Sequence, residues 1–291
     1  TDRQSLSLSF GYNILDRDTN RGYGSGWNII YNSYIKHDND LDLYYSEDYT
    51  GKRVYYHSID CDSRFQQSGS ITYDCFIAED GSSNILTKKY NNNILISFSI
   101  YSKERINQIY NIDGYLTSIK NEKTNQEIII TRETLEPDKI TKIKDMSNNE
   151  INISYNSYGI STATLSIYQD INVYHDLEQV IYTYESISNF STYSISKIEH
   201  NKDFDGDGLF TSDDDIYYHY DDNGRIEESY TSGQDKIEYL YYSANNKVKT
   251  IKASYNGAYF NEIDYTYSTK ETKVLNHNNE FIIYKFDDFG H

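Results

Sequence analysis

The chain has 291 residues, of which 37% are hydrophobic, and it carries a net charge of −18 with 33 tyrosines, 11 phenylalanines and one proline. That balance excludes a nucleic-acid surface and an anionic membrane surface, both of which need clustered Lys and Arg. No run of about 18 apolar residues is present, so no membrane-inserted helix is expected.

The apolar area is carried mainly by rings, and Tyr suits half-buried β faces where one end of the side chain stays wet. Turns must come from Asn/Asp-Gly chemistry, because proline is almost absent. The expected class is therefore all-β. The first residues, Thr1 to Gln4, lack the apolar core of a signal peptide, and a start without Met reads as a piece of a longer chain.

In chain order, Ser5–Phe10 alternates strictly as a strand and leads into the polar loop Asp16–Asn20. Gly22-Tyr23-Gly24-Ser25-Gly26-Trp27 follows. No helix pattern and no P-loop Lys accompany these glycines, so they read as letting backbone pass close to a buried Trp27 rather than as a phosphate cradle. Residues 28–35 form the next expected strand. From Leu41 to Leu86 the pattern is looser, with strands over 43–45, 53–57 and 70–77 and a turn at Asp80–Ser83. Cys61 and Cys75 enclose the hairpin tip Ser68-Gly69-Ser70; a disulfide in an oxidising compartment and two buried free thiols are both open readings. Strands are expected again over 94–101, 126–131, 151–155, 162–168, 180–184 and 192–199.

A pattern recurs within this series: an aromatic residue, Asn or Asp, then Gly, then a returning strand. It reads Tyr110-Asn-Ile-Asp113-Gly114-Tyr-Leu116, Tyr218-His-Tyr220-Asp-Asp-Asn-Gly224-Arg225, more loosely Tyr241–Ile251, and Tyr284-Lys-Phe286-Asp-Asp-Phe-Gly290-His291. Each copy is one strand, one tight turn and one returning strand, repeating roughly every 20 to 25 residues in the C-terminal part.

With the opening Ser5–Phe10, the Asn/Asp-rich loop and Gly22–Trp27, these repeats give a chain that resembles the RHS/YD-repeat family, whose members include bacterial wall-associated and polymorphic toxins, insecticidal toxin-complex components and animal teneurins. The resemblance implies repeated β-hairpins in an extended spiralling sheet, part of a hollow shell enclosing a C-terminal toxin or effector. It implies a secreted or cell-surface bacterial protein whose partner is the C-terminal remainder of the same polypeptide. The toxin members end in an Asp-Pro self-cleavage motif, whereas the only proline here is Pro137 in Glu136-Pro137-Asp138, so self-processing is not expected. The whole chain reads as one shell segment: opening strands over 1–35, irregular hairpins over 36–109 and YD-like repeats over 110–291, stopping inside a repeat at 286–291.

One stretch has coordination chemistry. Asp203, Asp205, Asp207, Thr211 and Asp214 fall at positions 1, 3, 5, 9 and 12 of a loop with Gly208 at position 6 and the Leu209 carbonyl at position 7. Hard oxygens at that spacing around a sharp turn suit Ca²⁺, and flanking strands make the loop a structural clip. Catalytic patterns are absent: there is no His-Glu-x-x-His, Gly-x-Ser-x-Gly or Cys-x-x-Cys, and the seven histidines are scattered. The chain is therefore expected not to be an enzyme. An adhesive or carbohydrate-binding module that stacks a cell-surface glycan on its rings is the alternative, followed by a glycoside hydrolase, whose paired carboxylates cannot be picked out among 45 acids.

Overall fold

The computed structural model describes residues 6–170, 173–187, 192–203 and 209–285. Among the described residues the only helical elements are two 3-10 turns, Ile14–Asp16 and Ser63–Phe65. A small hairpin pairs β1 (Phe10–Tyr12) with β2 (Trp27–Ile29). All other strands belong to one antiparallel sheet that follows chain order. They are β3 (Tyr34–Asp38), β4 (Leu43–Glu47), β5 (Arg53–Ile59), β6 (Ile71–Ala78), β7 (Ile85–Asn91), β8 (Ile94–Tyr101), β9 (Ile106–Tyr110) and β10 (Leu116–Asn121). Next come β11 (Gln126–Arg132), β12 (Ile140–Asp145), β13 (Glu150–Tyr155), β14 (Ile160–Asp170), β15 (Val173–Ser186), β16 (Tyr193–Lys202) and β17 (Thr211–Tyr220). The series ends with β18 (Ile226–Thr231), β19 (Asp235–Tyr241), β20 (Val248–Tyr255), β21 (Ala258–Tyr267), β22 (Glu271–Leu275) and β23 (Phe281–Lys285).

The repeat works through two local devices. The Asn or Asp after the aromatic residue closes the turn with its side chain: Asn111 Oδ1 accepts from the amides of Asp113 and Tyr115, and Asp221 Oδ1 accepts from those of Asn223 and Arg225. The second device is a β-bulge one step before the turn, which re-aims the next side chain. After each bulge a tyrosine reaches back to a carbonyl at or near the start of the preceding strand. Tyr155 donates to Ile140 O at 2.8 Å, Tyr184 to Ile160 O at 2.8 Å, Tyr220 to Ile195 O at 2.7 Å and Tyr241 to Ile226 O at 2.7 Å. In β11 the same place is taken by Arg132, whose Nε donates to Leu116 O at 3.0 Å. A row of hydrogen bonds thus stitches one edge of the sheet, where the turns after odd-numbered strands lie.

The sheet curls until its first strand meets its own later turn. Tyr34 bridges to Tyr115, Ile35 N donates to Gly114 O at 2.8 Å, and Leu116 N donates to Ser33 O at 3.2 Å. Strands β3–β10 therefore close a ring, while β11–β23 run on past the closure, which is a spiral rather than a barrel closed end to end. Gly114 is obligatory there: its φ is +85°, and a Cβ would lie 2.0 Å from Ile35 O. At the same closure Glu47, although buried, accepts from Tyr34 and pairs with Arg21 at 3.3 Å and Arg53 at 2.7 Å.

Two expected strands differ from the structure. Of Ser5–Phe10, Ser5 lies outside the described residues and 6–9 form no strand; Leu6 and Leu8 instead pack part-buried against the core, and only Phe10 joins a ladder. The expected strand 28–35 breaks at 30–33, where Asn32 N donates to Ile29 O at 2.8 Å, because the chain must turn out of the small hairpin to enter the sheet as β3. The looser region pairs without interruption from β4 to β8. Within it Cys61 and Cys75 are joined in a disulfide, with Cα atoms 5.2 Å apart, around a tip closed by the Ser68–Ile71 bridge.

Candidate functional site

Residues 6–33 form a strap along the stitched edge and over the adjoining sheet face, held at a series of turns and strand ends. Moving from the ring closure outward, Arg132 donates to Asn32 Oδ1 at 2.8 Å and to Tyr31 O at 3.1 Å. Tyr23 donates to Asp138 O at 2.7 Å and accepts from Ile140 N at 3.1 Å, both at the β11–β12 turn. Asn20 Nδ2 reaches Tyr158 O at 2.7 Å in the β13–β14 turn; at the start of β16, Ser25 N donates to Tyr193 O at 2.9 Å and Ser25 O accepts from the Ser194 hydroxyl at 3.1 Å. Finally Tyr12 donates to Gly224 O in the β17–β18 turn, and Trp27 Nε1 donates to Tyr220 Oη at 2.8 Å.

Trp27 is buried, as expected, with its ring edge-on to Tyr218 at 4.9 Å and tilted against Tyr12 at 5.4 Å. The glycines beside it act differently from the expectation. A Cβ on Gly26 would meet the ring of Tyr12 in the strap itself at 2.7 Å and one on Gly24 the ring of Tyr184 in the sheet at 3.0 Å, so they admit these two tyrosines rather than the indole. Burial raises the pKa of these phenols: Tyr23 and Tyr218 are pushed up to about 12, and Tyr12, Tyr155, Tyr182, Tyr184 and Tyr220 are also raised, desolvation being the largest cause for each. Arg132 shows the mirror effect, its pKa lowered because burial disfavours the charged guanidinium.

The expected calcium loop is the connection between β16 and β17, on the edge opposite the strap. Asp203 stands at its mouth with its carboxylate buried and 3.5 Å from His175 Nε2; Thr211 Oγ1 donates to Lys202 O at 3.3 Å across the last rung. Leu209 is exposed. Asp214 lies within β17 opposite His200, and Asp205 and Asp207 lie outside the described residues. The structure thus brings Asp203 and Thr211 to one loop mouth. Among the described residues no group of three or more His, Cys, Asp or Glu is placed to hold a metal ion.

A depression of about 470 Å³ lies over β11–β14 beside the strap's first residue, with Leu6, Ile128, Leu165 and Ile167 as its apolar lining and Asp145 and Asn149 at its rim. On β18 and β19, Glu228 and Glu238 flank Lys236 at 2.5 and 3.1 Å. Glu238 is held below the usual carboxylate range, first by the hydrogen bond from Tyr259 and then by Lys236. Glycoside hydrolysis needs one acid of a pair kept protonated, which is the opposite shift.

No family model and no curated protein matches this chain. Among solved structures it is similar to the crystal structure of TcdB2-TccC3-Cdc42, at 12% identity and a TM-score of 0.33, covering 89% of this chain and 18% of that one. It is similar also to the crystal structure of TcdB2-TccC3-TEV, at 10% identity and a TM-score of 0.20, covering 91% of this chain and 20% of that one. The chain spans about a fifth of the length of each.

Nothing in the sequence announced the strap. Its partners lie far along the chain, Tyr12 and Gly224 being 212 residues apart, and the only local signal was a Gly-x-Gly-x-Gly run ending in Trp.

Proposed function

We propose that this chain is a non-enzymatic shell segment of a secreted or cell-surface bacterial protein of the RHS/YD-repeat kind, wound around a toxin or effector carried by the remainder of the same polypeptide. The observation that carries this reading is the ring closure: β3 meets the β9–β10 turn while the sheet continues for thirteen more strands, β11 to β23. A sheet that closes on a turn and keeps going builds a wall, and hairpins add to it through a recurring tyrosine bond at β13, β15, β17 and β19. The strap fits the role, since it binds five successive turns of one edge and holds that edge fixed. The Cys61–Cys75 disulfide fits an oxidising, extracellular setting.

Sequencing the gene beyond His291 and proteolysing its full product test the proposal. Further Tyr-Asp-Gly repeats, followed by a segment that resists protease until the repeats unfold, support it. An open reading frame without further repeats, or a C-terminal segment cut as fast as an unprotected chain, overturns it.

Within this reading we propose that residues 203–214 hold one Ca²⁺ as a clip between β16 and β17. Asp203, Asp205, Asp207 and Asp214, with Thr211 and the Leu209 carbonyl, would supply the oxygens, and an ion there would neutralise the buried Asp203 carboxylate. At a dissociation constant of about 10⁻⁴ M, 1 mM calcium would add about 1.4 kcal/mol of stability. Chelation should then lower the unfolding temperature and Asp205→Ala should do the same with calcium present; a chelated protein that melts unchanged counts against the clip.

A further inference from the structure

The sheet face formed by β18–β21 carries a second, independent feature. Glu228, Glu238, Lys252 and Glu262 stand directly opposite one another across four strands. The neighbouring row on the same face runs Tyr230, Lys236, Ser254 and Tyr259. Glu228, Glu238, Lys252 and Tyr259 help line a depression of about 240 Å³. At its edge Tyr259 is 63% exposed, yet it is not free: its hydroxyl donates to Glu238 at 2.6 Å and Lys252 Nζ lies 5.7 Å from its ring centroid.

An exposed ring fixed at its polar end is preorganised for contact on its open face, because the ordering that binding would require is already present. The groups around it restrict what it can contact. Three carboxylates in one row repel phosphate or sulfate. Lys236 already lies between Glu228 and Glu238, so a cation would have to displace it. A purely apolar ligand would bury those charges without partners. What fits is a molecule with an apolar face for the ring and hydroxyls at its edge, donating to Glu228 and Glu238 and accepting from Lys252.

We propose that this face is a binding site for a neutral oligosaccharide, with Tyr259 as the stacking platform and Glu238, Glu228 and Lys252 as the hydroxyl partners. Glu238 has a double part, since it both holds Tyr259 in place and stays ionised as an acceptor. Tyr230, stacked parallel on Tyr217 with centroids 4.8 Å apart, extends the aromatic surface three strands away and gives room for more than one sugar unit. The site does not depend on the shell reading: a wall segment with or without cargo presents the same outer chemistry.

The experiment is binding of the intact chain to an array of neutral oligosaccharides, with sulfated and uronic-acid glycans as the contrasting set, followed by calorimetry on the best neutral probe. Tyr259→Ala should weaken binding at least about tenfold, while Tyr259→Phe, which keeps the ring and loses its anchor, should weaken it by less. Buried Trp27 emission, unchanged in both variants, shows that the fold is intact. Absence of binding to every neutral probe at millimolar concentration, binding confined to the acidic set, or equal binding by Tyr259→Ala would each overturn the proposal.

Discussion

Strands β12–β17 and strands β20–β23 share the same cross-strand pairing, but they differ in what lies against them. Under the strap, Ile140, Ile143, Ile160 and Ile195 are completely buried. In the last hairpins the ladder is equally regular, with β22 and β23 in register over five pairs, yet Tyr259, Phe260, Phe281 and Ile282 are all more than half exposed. The repeat therefore specifies pairing by itself and does not specify burial. A two-stranded unit has one apolar face and nothing of its own to cover it, so the cover must come from elsewhere in the chain. Here residues 6–33 supply it for the middle of the sheet.

High pH should break the contrast most strongly. Tyr23 and Tyr218, both packed in the strap region, have pKa values pushed from about 10 in an open chain up to about 12 by burial. Their folded-state pKa is raised, so the stability they contribute is complete below about pH 10 and is lost as pH rises through about 12. Each phenol removes about 1.4 kcal/mol per pH unit in that window, or about 5 kcal/mol for the two together. Absorbance titration should show exposed tyrosines ionising first and a later, cooperative group ionising together with the loss of Trp27 burial. A single smooth titration with the indole still buried would show that the strap does not depend on neutral phenols.

Removing the indole should act on the same region by a different route. Trp27→Ala deletes a buried ring and its bond to Tyr220, and should cost about 3 to 5 kcal/mol by denaturant unfolding. Phe281→Ala, on the open hairpin, should stay within about 0.5 kcal/mol of the parent. Similar losses at both sites would mean that the two regions are not differently covered.

The sequence made the turns and most strands readable because their causes are local. Asn111 and Asp221, with the positive-φ glycines Gly114 and Gly224, shape their turns within four residues of themselves, so the turn pattern is visible in any window containing it. Burial of Trp27 was also legible, since a lone indole among glycines has few other uses. The sites were less so. Arg132 takes over a tyrosine's position in the stitched edge, and no repeat pattern signals an arginine whose partners at Tyr31 and Asn32 are about a hundred residues away. The Glu228–Tyr259 row is invisible for a related reason: register across four strands decides which of many acids face one ring.

The smallest and sharpest comparison uses one bond found in both regions. Tyr220 and Tyr241 each donate to a carbonyl at or near the start of the preceding strand, at 2.7 Å in both cases. Tyr220 lies beneath the strap and also accepts from Trp27, so Tyr220→Phe strands a buried carbonyl and a buried indole N–H where water cannot reach. That should cost about 1 to 3 kcal/mol. Tyr241 sits in a hairpin that the strap does not cover, and Arg225 rests over its ring at 4.3 Å. Its hydroxyl has no counterpart of the Trp27 bond, so Tyr241→Phe strands one group, Ile226 O, where Tyr220→Phe strands two, and should cost about 0.5 to 1 kcal/mol. The two values separate what the repeat contributes from what the cover contributes, because donor, acceptor and bond length are the same. Equal losses would place the stability in the bond itself, and the strap would then be a passenger on an edge already secured by its tyrosines.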